Sequence, residues 1–128
     1  MTIKQQGGIF GRNPTFKTVS ADRIEMSDAT TVTIASGAVE ITQAYHRVDT
    51  EAGAATDDLD TINGGLIGQL LILRSDNAAR DVTVKDGTGN LNIAGDFTLT
   101  NNRDAIVLLC INTGTSNDWI EISRSDNN

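Results

Sequence analysis

The chain has 128 residues, a net charge of −7 and a single cysteine. That length suits one domain with a real core and is short for two domains plus a linker. One cysteine excludes an intramolecular disulfide framework, and net negative charge argues against nucleic acid, whose binding rests on neutralising phosphates with Lys and Arg. No run approaches the ~18 apolar residues of a membrane span and no apolar signal region opens the chain, so folding in a cytoplasm with no membrane partner is expected.

Residues 1–23 are expected to form an extended N-terminal arm. The stretch from Gly7 to Phe16 follows neither the helical nor the strand period. It nevertheless holds two of the three Phe, the only Pro and three of the twelve Gly. An irregular segment with conspicuous apolar anchors is a poor core element and a good docking arm. Lys4, Arg12, Lys17 and Arg23 face Asp22 alone, a net +3, against −10 for residues 24–128. A basic arm on an acidic body suits attachment to an acidic protein surface. The residues expected to bind a partner are Lys4, Ile9, Phe10, Arg12, Asn13, Pro14, Phe16 and Lys17.

The body, 24–128, reads as all-β. Thr30–Ala35 alternates with period 2, Ser36-Gly37 turns the chain and Ala38–Thr42 alternates again, so residues 30–43 read as a β-hairpin leading into the body. The stretch 50–68 is irregular, with room for one short helical turn over Thr56–Asn63, capped by Thr56 or Asp57 and broken by Gly64-Gly65. Strands follow at Gln69–Arg74 and Asp81–Lys85. Asp86–Asn90 is then a turn of residues that tolerate positive φ. Leu91–Ile93, Phe97–Thr100, Ala105–Ile111 and Asp118–Ile122 complete the set. Short strands at this spacing, with turn chemistry between them, describe a β-sandwich or barrel.

Two of these strands, Leu70–Leu73 and Ala105–Ile111, are apolar at consecutive positions. Continuous apolarity means that both faces are covered, one by the facing sheet and the other by a neighbouring subunit or, for an internal barrel strand, by a loop. Leu71, Leu73, Val107 and Leu109 are therefore the candidate oligomer contacts. Cys110 lies within the same run and is expected to be buried and inert.

No catalytic constellation stands out, and the chain is not expected to be an enzyme. His46 is the only histidine, which leaves a zinc site short of ligands. With Asp49 it makes a nominal dyad that no Gly-x-Ser-x-Gly elbow accompanies, and a structural or surface role is the better reading. Gly64-Gly65-Leu66-Ile67-Gly68 precedes a strand, so no helix N-terminus is there to hold a phosphate, and it reads as a turn. Asp57, Asp58 and Asp60, with Asp49 and Glu51 nearby, are the kind of oxygen ligands calcium takes, but their spacing is not that of an EF-hand. Helix capping and solvation account for them, and neither metal nor cofactor is expected. A sugar site would want exposed rings; Trp119 is expected to cap the core, which leaves Tyr45 as the plausible exposed one.

The segment Gly7-Gly8-Ile9-Phe10-Gly11-Arg12-Asn13-Pro14-Thr15-Phe16 resembles the N-terminal virion-attachment segment of certain tailed-bacteriophage structural proteins. The body resembles a small β domain of such proteins, from His46–Glu51 through Asp57–Gly65 to Gly68–Leu73, and more weakly at Gly89-Asn90-Leu91 and Trp119-Ile120-Glu121. The resemblance implies a trimeric β-sandwich of jelly-roll type mounted on a virion. With no shaft, collagen-like repeat or heptad between arm and body, it implies a stud similar to head-decoration (cement) proteins. Their arm reaches across the major capsid protein or another virion protein. A receptor-binding tip or short tail fibre is the alternative, and a small hydrolase acting on cell-surface polymer a more distant one.

Overall fold

The computed structural model describes residues 14–128, and among them it is all-β. The strands are β1 (Thr30–Thr33), β2 (Ala38–Glu40), β3 (Tyr45–Asp49), β4 (Thr56–Leu59), β5 (Thr61–Asn63), β6 (Leu70–Ser75), β7 (Asp81–Val84), β8 (Leu91–Asn92), β9 (Phe97–Leu99), β10 (Ala105–Asn112) and β11 (Asn117–Ser125). They form a six-stranded sheet in the order β1-β3-β6-β10-β11-β8, a two-stranded sheet β2-β5 and a three-stranded sheet β4-β7-β9.

The chain climbs in solenoid-like rungs. β1 and β2 form the first rung, β3, β4 and β5 the second, and β6, β7 and β8 the third. Each rung lays its strands parallel to those of the rung before: β3 on β1, β6 on β3, β5 on β2 and β7 on β4. The last strands end this stacking by running the other way, β9 antiparallel to β7 and β10 antiparallel to β6. β11 then pairs antiparallel with β10 and parallel with β8. Reversed strands thus cap the growing edge of the stack, the device that repeat proteins need at their ends. At the opposite end β1 is an edge strand among the described residues.

The all-β class agrees with the sequence. A jelly roll, however, is built from antiparallel pairs, and five of the eight strand pairings here are parallel. The expected hairpin over 30–43 is also corrected. Ser36 (φ 52°) and Gly37 (φ 77°) do make the tight turn that positive φ at both positions allows, but only one bridge, Ala35 to Ala38, joins the two arms. Beyond it β1 turns to β3 and β2 to β5, because each strand finds its ladder on the next rung. The helical turn expected over Thr56–Asn63 is strand β4 and β5; the single helical turn among the described residues is 3-10, at Glu51–Gly53. Thr50 is the N-cap of that turn, and Asp57, from β4, accepts the Glu51 N–H at 2.7 Å through its Oδ2.

Period-2 alternation decides what is inside. Val48, Leu59, Ile62, Leu71, Leu73, Val82, Val84, Leu99, Ile106, Leu108 and Trp119 are buried and form one core cluster. Parallel register stacks like on like from rung to rung, as in Val39 on Ile62 and Leu59 on Val84. At one corner the rungs approach so closely that only glycine fits. A Cβ at Gly89 would lie 2.1 Å from the Asp60 carbonyl oxygen.

Candidate interaction surface

Three polar side chains set the frame that carries the surface. His46 is wholly buried in β3. Its Nε2 accepts the backbone N–H groups of Thr42 (3.0 Å) and Gln43 (3.2 Å), which assigns the ring proton to Nδ1, 3.1 Å from the Thr30 carbonyl. The ring therefore joins the turn before β3 to the start of β1, the structural role that the sequence favoured. Asn90 completes a rung by side chain where no strand reaches. Its Oδ1 accepts the Ile62 N–H at 2.9 Å and its Nδ2 donates to the Ile62 carbonyl at 2.8 Å. Asp104, fully buried, receives the backbone N–H groups of Thr100, Asn101 and Asn127 and so clasps the C-terminus. Burial alone pushes its carboxyl up, but these donors and the Thr100 hydroxyl outweigh it and hold the pKa below its ordinary value.

The six-stranded sheet has two unlike faces. Leu71 and Leu73 point inward and are fully buried, so they are not oligomer contacts. The outward residues of β6 are Leu70, Ile72 and Arg74, which alternate with them. In β10, Val107 and Leu109 do face outward, half-buried. Register lines these up into two apolar rows, Leu70–Leu109–Ile120 and Tyr45–Ile72–Val107. Arg47 and Arg74 lie side by side on the same face, and the Arg74 guanidinium stands 5.5 Å from the Tyr45 ring centroid. The three-stranded sheet offers the contrast. Its outward residues are Thr56, Asp58, Asp81, Thr83 and Thr98, all polar. A sheet face meant for water reads like the second; the first does not.

The approach to this sheet is extended chain. Every residue from 14 to 28 is exposed, with Ile24 at 82 % and Val19 and Met26 also presented. Of the expected attachment residues, Pro14, Phe16 and Lys17 lie here and are exposed, whereas Lys4, Ile9, Phe10, Arg12 and Asn13 lie outside the described residues. Near β6, Leu66 (72 % exposed) and Ile67 project from a turn. Gly65 seats that turn against Trp119, where a Cβ would meet the ring at 2.3 Å, and Gln69 Oε1 accepts the Leu66 N–H.

The remaining candidates have local roles. Trp119 is buried, its Nε1–H donating to the Ile62 carbonyl at 3.2 Å. Tyr45 is half-buried beneath Arg74. Cys110 is buried, and burial followed by the nearby Asp118 carboxylate pushes its thiol pKa up. Asp49 pairs with Arg80 at 2.5 Å and does not contact His46. Among the described residues no three His, Cys, Asp or Glu side chains gather as metal ligands.

Sequence reasoning missed Leu70, Ile72 and Ile120 as surface residues, because a continuous apolar run conceals which parity faces in. Arg74 held the available signal, since a charged residue two places beyond Ile72 marks the outward parity. No protein-family model, curated protein or solved structure matches the chain.

Proposed function

We propose that this chain is a structural protein of a tailed-bacteriophage virion, a trimeric head-decoration protein that docks on the major capsid protein through its N-terminal residues. The observation that carries the reading is the pairing of a capped, internally hydrogen-bonded β stack with an extended lead-in at 14–28 of which no residue is buried. Such a lead-in keeps apolar surface that another protein can cover. Ile9, Phe10, Pro14 and Phe16 would fill grooves on the shell while Lys4, Arg12 and Lys17 meet acidic groups. Each buried apolar side chain supplies about 1.5–3 kcal/mol, less the cost of ordering the arm. Several arms on one oligomer engage intramolecularly after the first, which multiplies avidity, and a ligand of the assembled shell opposes its rupture by linkage. The reading needs a rigid body and an arm that can reach the shell, and it does not depend on jelly-roll connectivity.

The test is a variant lacking residues 1–17, mixed with purified shells and sedimented. The expected result is a folded body that stays in the supernatant while the full chain pellets with the shell. Shell binding that survives the truncation would sink the arm's role. A second reading, a receptor-binding tip, is favoured by the exposed Leu66–Ile67 turn. It predicts that antibody against residues 24–128 labels the tail of the virion rather than its head.

A further inference from the structure

We infer that the outer face of the six-stranded sheet is a self-association surface, covered in the assembled protein by residues 18–28 of a second copy of this chain. The face and the segment are two uncovered apolar features of one molecule. On the face, the rows Leu70–Leu109–Ile120 and Tyr45–Ile72–Val107 run across four strands, with Leu70 still 46 % exposed. On the segment, Val19, Ile24 and Met26 are all presented outward.

Their charges are complementary. The face sets Arg47 and Arg74 side by side; Arg47 pairs with Asp76 at 3.3 Å, whereas Arg74 donates to the Asn102 carbonyl and has no carboxylate partner among the described residues. The segment carries Asp22, Glu25 and Asp28 against Arg23 alone. An apolar strand edged with carboxylates thus meets an apolar face whose Arg74 guanidinium still lacks a carboxylate, the partner that Arg recognises best.

Length and anchorage identify the occupant as another copy. The segment enters the fold at buried Ala29, where the Gln43 side-chain amide donates to the Asp28 carbonyl at 2.8 Å. Eleven residues of extended chain reach roughly 35–40 Å. Six strands at about 4.8 Å spacing present a sheet roughly 24 Å across. The segment is therefore long enough to cross a neighbour's whole face, while on its own molecule it stays exposed. The contact uses residues distinct from those assigned to shell docking. Purified chain alone tests it, so its failure leaves the virion assignment standing, and the reverse.

Sedimentation of the full chain over a concentration series is the experiment, with Ile24→Asp as the first variant. Ile24 is exposed in its own copy, so this change leaves the fold intact, as the near-ultraviolet signal of buried Trp119 verifies. The full chain is expected to self-associate, and Ile24→Asp to raise its dissociation constant by about tenfold or more. Mixing copies that carry Ile24→Cys with copies that carry Leu70→Cys should give a disulfide-linked pair containing one of each. A full chain that stays monomeric at roughly 100 µM overturns the proposal. So does an oligomer indifferent to Ile24→Asp, and so does a mixture of the two cysteine variants that gives no linked pair containing one of each.

Discussion

Buried polar side chains do in this molecule what regular backbone pairing does elsewhere, and their removal should be costly. Changing His46 to Ala strips the acceptor from two backbone N–H groups and leaves a cavity beside Val48. The expected loss is about 3 kcal/mol, read as a lower urea midpoint with an unchanged slope. Asp104 makes stability depend on pH. Its folded pKa is below its unfolded value, so its contribution is complete well above the unfolded value and declines as pH falls through the folded one. Asp104→Asn should cost about 2 kcal/mol at pH 7, because an amide presents N–H where the site offers N–H. The gap between variant and parent should narrow in urea titrations taken at successively lower pH below 4. Neither role shows in residue type alone: one histidine and one of many aspartates become keystones only because the parallel β1–β3 pairing brings Thr30 beside His46 and the antiparallel β10–β11 pairing brings Asn127 beside Asp104.

At the scale of elements, corners matter more than strands. Gly87 and Gly89 both have positive φ, 71° and 50°, and both lie in the turn before β8. A Cβ at Gly87 meets nothing within 4 Å, whereas one at Gly89 runs into Asp60 backbone and the Thr61 hydroxyl. Gly87→Ala should therefore cost about 1 kcal/mol from backbone conformation, and Gly89→Ala that amount plus about 2 kcal/mol of overpacking. Comparing thermal midpoints of the two variants separates close approach from conformation. Equal midpoints would show that the rungs yield at this corner. The turn at Asp86–Asn90 was legible from its composition; that Asn90 would serve as a surrogate strand for Ile62 was not, because the ladder it completes lies far away in sequence.

The whole molecule is, over its described residues, a stack capped at one end and edged by β1 at the other, and its local stabilities should grade accordingly. Amides of β6 and β10, flanked on both sides by other strands, should exchange with solvent at rates near those of global unfolding. Those of edge strand β1 should exchange fastest among the strands, and those of 14–28 faster still. Hydrogen exchange followed by mass spectrometry resolves this order. Protection of β1 and of 18–28 that rises with protein concentration would report the inter-copy contact directly.

Composition and alternation by themselves determined that this chain is all-β and that Trp119 and Cys110 belong to the interior. Each of those follows from local chemistry, which is written residue by residue. Pairing partner and parallel direction were decided only by the tertiary structure. Thr30 pairs with His46 while Tyr45 pairs with Ile72, so the rungs are unequal in length and no repeat is visible along the chain. Non-local hydrogen bonds are indifferent to sequence spacing, and an unbroken apolar run fits either face of a sheet until its neighbours fix the register.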